Sequence, residues 1–219
     1  FESNSSGGLV IFSNGGVNAN NITANLNIGH GAYIDTFNDF VPVSKVTLTG
    51  NNTFNENGDG ATGGGQDGTG LFVQSDSVIT INNLTANGNT EEGAHLLGYD
   101  DALNYWSPIP AVSIKLTGFS AFNGNGTDGL FFFTPGNVDI TKITADANGG
   151  DGMDGFTELG NITISCGSMT NNIGYGWRLQ LFTVGKLLTL KGVFATGNTA
   201  GAGLQTGGIL VPVRTCPLP

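Results

Sequence analysis

Residues 79–97 read ITINNLTANGNTEEGAHLL, and their three-part pattern recurs along the chain. Ile79 to Asn82 alternate apolar and polar residues as a half-buried strand does, Ala86-x-x-Asn89 follows, and a third run begins at Gly93. The motif of Phe, Ala or Met, two variable residues and Asn occurs eight times. Its asparagines, spaced 23 to 36 residues apart, are Asn4, Asn27, Asn57, Asn89, Asn125, Asn148, Asn172 and Asn198. A short unit repeated with insertions predicts a solenoid.

Three strands and three turns in about 23 residues describe one coil of a parallel β-helix. We therefore predict an all-β fold, with a parallel β-helix of about eight coils over residues 1–206 and a non-repetitive tail, capping or linking, over 207–219. Successive coils lie about 4.8 Å apart, so the asparagines should form a hydrogen-bonded ladder. We expect the first residue of each motif to face inward. We also expect the glycine that opens each third run to adopt a positive φ.

These coils resemble those of right-handed parallel β-helix repeat proteins, especially the Gly/Asn/Thr-rich arrays of large bacterial secreted and cell-surface, adhesin-like proteins. The resemblance covers essentially residues 1–206 and implies a right-handed coil at an extracellular or cell-surface location, in a bacterium. It is weak for function, because the same coil serves adhesins, structural proteins and polysaccharide-cleaving enzymes.

The charge balance narrows the set of partners. Seven Lys and Arg oppose 17 Asp and Glu, for a formal net charge of −10, and no basic patch is evident. Nucleic acid and anionic membrane surfaces are therefore disfavoured as partners. No apolar run approaches the 18 residues of a membrane-spanning helix, so we expect no membrane insertion. Cys166 and Cys216 are consistent with one disulfide in an oxidising compartment, or alternatively with two buried thiols.

Insertions in a solenoid often carry function, and here they occupy residues 35–45, 59–69 and 98–111. The third insertion combines aromatic rings with carboxylates. Such a loop can pack on the rod, form a protein interface or bind sugars, and all three interpretations stay open. Its candidate residues are Tyr99, Asp100, Asp101, Tyr105 and Trp106.

Two motifs of polygalacturonase-like enzymes occur, Gly29-His30-Gly31 and Asp100-Asp101. Their order is reversed relative to those enzymes, and the other two family motifs are missing. Gly174-Tyr175-Gly176 occupies the same repeat position as the His30 triplet, so His30 is most simply a variable corner residue. We therefore assign no catalytic residues.

Calcium-dependent lyase chemistry needs clustered carboxylates and an Arg or Lys base. In the repeat frame neither Arg178 nor Arg214 has an evident carboxylate cluster nearby. Gly149-Gly-Asp-Gly-Met-Asp154 fits a calcium-repeat pattern that binds metal when tandem copies stack. It occurs once, so Asp151 and Asp154 are weak calcium candidates beside the simpler interpretation, a glycine-rich turn. No other cofactor is expected.

The match of Phe1-x-x-Asn4 and Gly8 to Phe122-x-x-Asn125 and Gly129 places the first residue within a coil. We expect either upstream coils of a longer precursor or a second copy stacked on this edge. The predicted function is a non-enzymatic extracellular structural or adhesive protein, with end-to-end stacking into a filament as its sharper version. The alternative is a polysaccharide-binding or polysaccharide-cleaving domain.

Overall fold

The computed structural model describes residues 1–36, 44–59, 68–98, 112–213 and 216. Within these ranges every regular element is a β-strand, and parallel strands stack as a solenoid of about 7 turns. The predicted fold class is confirmed, with about 7 turns observed against about eight predicted. The right-handed sense of the coil stays a prediction.

The first sheet contains eight parallel strands, one from each successive coil. Alternate side chains of these strands face the core and the exterior. In spatial order the strands are β1 (Leu9–Phe12), β3 (Ala32–Asp35), β6 (Leu71–Gln74), β9 (Ala94–Leu97), β12 (Leu130–Thr134), β14 (Met153–Thr157), β16 (Tyr175–Leu181) and β18 (Gly201–Thr206).

The second sheet runs along an adjoining side of the solenoid. Its strands are β2 (Val17–Asn20), β4 (Val46–Thr49), β7 (Ile79–Asn82), β10 (Ile114–Thr117), β13 (Val138–Asp146), β15 (Ile162–Thr170), β17 (Leu187–Thr196) and β19 (Ile209–Val213). The short strands β5 (Asn52–Thr53), β8 (Leu84–Thr85) and β11 (Ser120–Ala121) lie on the third side, where the second halves of β13, β15 and β17 continue them.

Stacking in register places equivalent side chains of successive coils above one another and produces a continuous apolar core. The first residue of each interior motif faces inward as predicted, with no exposed surface: Ala24, Phe54, Ala86, Phe122, Ala145 and Met169. At the two ends of the series Phe1 is 60% exposed and Ala195 is half-buried. The motif therefore supplies one inward side chain per interior coil.

The eight asparagines form a hydrogen-bonded ladder with one direction. The backbone N–H and the Nδ2 of Asn57 both donate to Oδ1 of Asn89 at 3.0 Å. Asn89 bonds in the same way to Asn125, and its Nδ2 also donates to the carbonyl of Phe54 at 3.0 Å. The pattern runs from Asn4 to Asn198. Buried amide groups are thus paired between coils, as low-polarity surroundings require.

The glycines that open each third run follow a different rule from the one predicted. A Cβ on Gly70 would lie 2.5 Å from the carbonyl oxygen of Gly93 and 2.6 Å from Nδ2 of Asn89. No left-handed φ occurs at Gly70, so the predicted positive φ is wrong there. Close approach of the ladder amide excludes a side chain at this corner. Left-handed residues instead precede each ladder asparagine, as Glu56 does with φ 54°, and turn the corner between the third side and the first sheet.

The tail is partly regular and is joined covalently to the coils. β19 pairs in parallel with β17, so the second sheet continues beyond residue 206, where the repeat was predicted to end. Cys166 and Cys216 form the predicted disulfide, which spans 50 residues of sequence. Gly192, with φ 56°, lies beneath it, since a Cβ there would meet the Cys216 backbone nitrogen at 2.7 Å. The staple therefore ties residue 216 back to β15.

Candidate functional site

An outward-facing row of side chains crosses the first sheet, here called the outer row. Strand register aligns one residue from each coil: Val10, Tyr33, Phe72, His95, Phe131, Asp154, Arg178 and Leu204. Two residues later in each strand a parallel row includes Phe12, Phe133 and Phe156. The outer row thus changes along the axis from aromatic rings to an acid and a base.

The aromatic part of the outer row is a run of ring contacts. The rings of Tyr33 and Phe72 stack with centroids 4.8 Å apart and nearly parallel planes. His95 continues the run, with its ring centroid 5.0 Å from Phe72 and 4.5 Å from Phe131. Phe131 in turn lies 5.9 Å from Phe156. Aromatic contacts at these distances stabilise neighbouring coils beyond simple burial.

A second set of polar residues lies at the corner that precedes the first sheet, here called the corner row. It contains His30, Thr69, Glu92, Asp128, Asp151 and Tyr175, whose carbonyls accept hydrogen bonds from the glycines of the preceding coil. Two of its acids, Asp128 and Asp151, also bond to the following coil. Asp128 Oδ1 accepts the Asp151 N–H at 2.6 Å, and Asp151 Oδ1 accepts the Tyr175 N–H at 2.6 Å. The carboxylates therefore act as a second, shorter ladder.

Arg178 joins the corner row to the outer row. Its Nε lies 2.9 Å from Asp151 Oδ2, and its Nη2 lies 2.5 Å from Asp154 Oδ2. The side chain of Arg178 is 47% exposed, whereas those of the two acids are 7% and 5% exposed. The sequence-based prediction that Arg178 lacks neighbouring carboxylates is therefore wrong. Strand register, which sets Asp154 beside Arg178 across a 24-residue step, produces the contact.

Burial has the largest effect on the pKa values of two acids in this cluster. It raises the pKa of Asp128 to about 6, although the hydrogen bond from the Asp151 backbone opposes the rise. Burial also raises the pKa of Asp154 above its usual value, against the opposing hydrogen bond from Arg178. Hydrogen bonding to Asp154 raises the pKa of Arg178. Asp154 Oδ1 is buried and has no hydrogen-bond partner among the described residues. The Asp154 carboxyl thus has one acceptor oxygen without a hydrogen bond from the described part of the chain, close to the exposed guanidinium of Arg178.

A second contact, between an acid and a histidine, lies farther along the same two rows. Glu92 Oε1 is 3.6 Å from His95 Nδ1, and Thr69 Oγ1 donates to Glu92 Oε2 at 2.9 Å. Burial tends to raise the pKa of Glu92, but hydrogen bonding and ion pairing with His95 outweigh it and lower the pKa below 4.5. Polar and charged side chains therefore lie along this edge of the first sheet from Thr69 to Arg178.

The structure describes some of the candidate residues predicted from the sequence, and others lie outside the described residues. Tyr99, Asp100, Asp101, Tyr105 and Trp106 lie outside the described residues, as do 37–43 and 60–67 of the other insertions. His30 and Tyr175 occupy the same corner position, as the repeat alignment predicted. Arg214 also lies outside the described residues.

The weak calcium candidates have another partner. Asp151 and Asp154 both bind the guanidinium of Arg178, which takes the place between them. In the part of the chain that the structure describes, no group of three His, Cys, Asp or Glu side chains is placed to hold a metal ion. The Gly149-to-Asp154 segment is therefore a turn and strand whose acids stabilise the stacking of coils.

The Arg178 cluster was not predicted, although the sequence contains one signal for it. Aligning Gly152-Met-Asp154 with Gly176-Trp-Arg178 places the acid and the base at the same repeat position. Neighbouring coils with opposite charges at one position predict a cross-strand ion pair.

No protein-family model matches this chain, and no curated protein or solved structure matches it either. The disulfide indicates an environment outside the reducing cytoplasm. Over the described ranges there is no helix long and apolar enough to cross a membrane.

Proposed function

We propose that this chain is a structural rod of an extracellular or cell-surface protein, of the adhesive kind found on bacteria. The observation that carries the proposal is the unbroken asparagine ladder, which joins every coil from residue 4 to residue 198. An architecture whose repeats each contact only their neighbours gains stiffness from such continuous bonding. The disulfide adds a covalent staple suited to an oxidising exterior.

A rod function predicts a fixed distance between coils in solution. Asn14 and Val184 occupy the same corner of the solenoid six coils apart, and the Val184 side chain is 95% exposed. At about 4.8 Å per coil the two positions are separated by roughly 29 Å. Spin labels attached through unnatural amino acids leave the native disulfide intact. Pulsed electron–electron double resonance should then give one narrow distribution of spin–spin distances near this value. A broad distribution of distances in native buffer would refute the rigid rod.

A second candidate function is binding of a polysaccharide by the Arg178 cluster and the neighbouring rings. The observation that favours it is the exposed guanidinium of Arg178 on the same face of the first sheet as the half-buried rings of Phe131 and Phe156, which lie on the two preceding strands of that sheet. Planar rings contact the apolar faces of sugars, and carboxylates and guanidinium groups bond to hydroxyls.

A glycan array of neutral and acidic polysaccharides tests this candidate, with product analysis to detect cleavage. We expect Arg178→Gln to abolish binding. Lys115→Gln is the matched control, since Lys115 is an exposed cation on the second sheet. Trp106→Ala tests the separate sequence-based prediction for the 98–111 insertion. Absence of binding by the wild-type chain, or equal binding by the Arg178 and Lys115 variants, would remove this candidate.

A further inference from the structure

Among the residues that the structure describes, β19 forms one edge of the second sheet and pairs with β17 alone. In this strand the Ile209 N–H donates back to the Lys186 carbonyl at 2.7 Å. Successive N–H groups of a strand point to opposite sides, so those of residues 210 and 212 face away from β17. Earlier coils show the same alternation. The Val138 N–H, at the position equivalent to Leu210, donates forward to the next coil at 2.9 Å.

Of the two residues in β19 whose backbone nitrogen faces away from β17, the second is a proline. Pro212 pairs in register with Leu190, and in the coils below this position is held by Ile164 and Ile140. Proline has no N–H to donate, and its ring lies on the side that an added strand would occupy. We infer that Pro212 closes the β19 edge, so that a second copy of this chain does not stack in register on the second sheet.

The disulfide supports this inference independently. Cys216 lies only three residues beyond the end of β19, and it is bonded to Cys166 in β15, two strands back in the sheet. The backbone of Cys216 lies against Gly192, at the corner of β17, where an added Cβ would meet its nitrogen at 2.7 Å. The chain is therefore anchored to β15 four residues after Pro212, and this bond restrains the β19 edge.

A closed β19 edge bears on how the proposed rod assembles, and this inference rests on that proposed function. The filament version of the sequence-based prediction requires the edge of the C-terminal coil to accept another copy. Of the two residues in β19 whose backbone nitrogen faces away from β17, only Leu210 has an N–H that can donate to a neighbouring strand. Protein edges that avoid unwanted association commonly carry a proline in this way.

Sedimentation of the wild-type chain, Pro212→Val and Thr163→Val over a wide concentration range tests the inference with the disulfide intact. Thr163→Val adds the same side chain to the same sheet at an interior strand. We expect Pro212→Val to associate about tenfold more tightly than the other two chains, because it regains a donor for an inter-strand hydrogen bond. Hydrogen exchange should show new protection of the Leu210 amide on association.

Two results would overturn the closed edge. One is association of Pro212→Val no tighter than that of Thr163→Val, provided circular dichroism shows that both are folded; Pro212→Ala serves as the substitute if the valine variant misfolds. The other is wild-type self-association with protection of the Leu210 amide. Neither result bears on the spin-label distance, so failure of this inference is distinguishable from failure of the rod.

Discussion

Replacing one ladder asparagine in the middle of the solenoid should destabilise the chain strongly. The side chain of Asn125 takes part in four hydrogen bonds. It accepts from the N–H and Nδ2 of Asn89 at 3.0 and 3.1 Å, and it donates to the Ala86 carbonyl at 3.1 Å and to Asn148 Oδ1 at 3.0 Å. At about 1 kcal/mol net for each bond, Asn125→Ala should lower the free energy of unfolding by about 4 kcal/mol. Because the site is buried, water cannot easily replace the lost partners.

Guanidinium unfolding followed by circular dichroism measures this loss, with Asn51→Ala as the matched control. Asn51 is an exposed asparagine, so its replacement should change the free energy by no more than about 0.5 kcal/mol. Asn125→Asp is a useful companion, because the carboxylate can still accept from Asn89 but cannot donate to Asn148. If Asn125→Ala were no more destabilising than Asn51→Ala, the ladder would not be the element that holds the coils together.

Three further predictions follow from the described contacts. The pKa of Asp128 rises from 3.8 to about 6 on folding. The contribution of this group to stability is therefore fullest below about pH 4 and is lost as the pH rises through 6. Asp128→Asn should flatten the pH dependence of the unfolding free energy over that window. Loss of the disulfide in a Cys166→Ser, Cys216→Ser chain should cost about 4 kcal/mol for a 50-residue span, and hydrogen exchange should show faster opening of β17 and β19. Gly192→Ala should lower the melting temperature and leave free thiols by Ellman titration, because its Cβ would meet Cys216 at 2.7 Å, whereas Gly15→Ala, with its nearest contact at 4.0 Å, should do neither.

Much of the fold was predictable because a solenoid encodes its contacts in its period. Residues that touch across coils occupy the same place in neighbouring repeats, so the spacing of Asn57, Asn89 and Asn125 already indicates which amides meet. The alternation in Ile79 to Asn82 likewise identifies the inward side of a strand. Local pattern and long-range contact are the same information in this architecture.

The candidate site was less predictable, because it depends on which neighbouring groups compete for one place. Asp151 and Asp154 fit a calcium pattern by spacing, but strand register brings Arg178 between them. The glycine at Gly70 was assigned a positive φ from residue type, whereas the Asn89 amide beside it is what excludes a side chain. In both cases the deciding neighbour lies in another coil, 24 residues away for Asp154 and Arg178 and 19 residues away for Gly70 and Asn89.

The sequence by itself determined the all-β coil, its stacking and the inward positions, since these follow from periodic residue types. Only the tertiary structure decided how the ends and the charged face are arranged. The side toward which the missing Pro212 donor points, and the pairing of Arg178 with buried carboxylates, depend on strand register and backbone direction. Those quantities arise when coils stack, and no single repeat contains them.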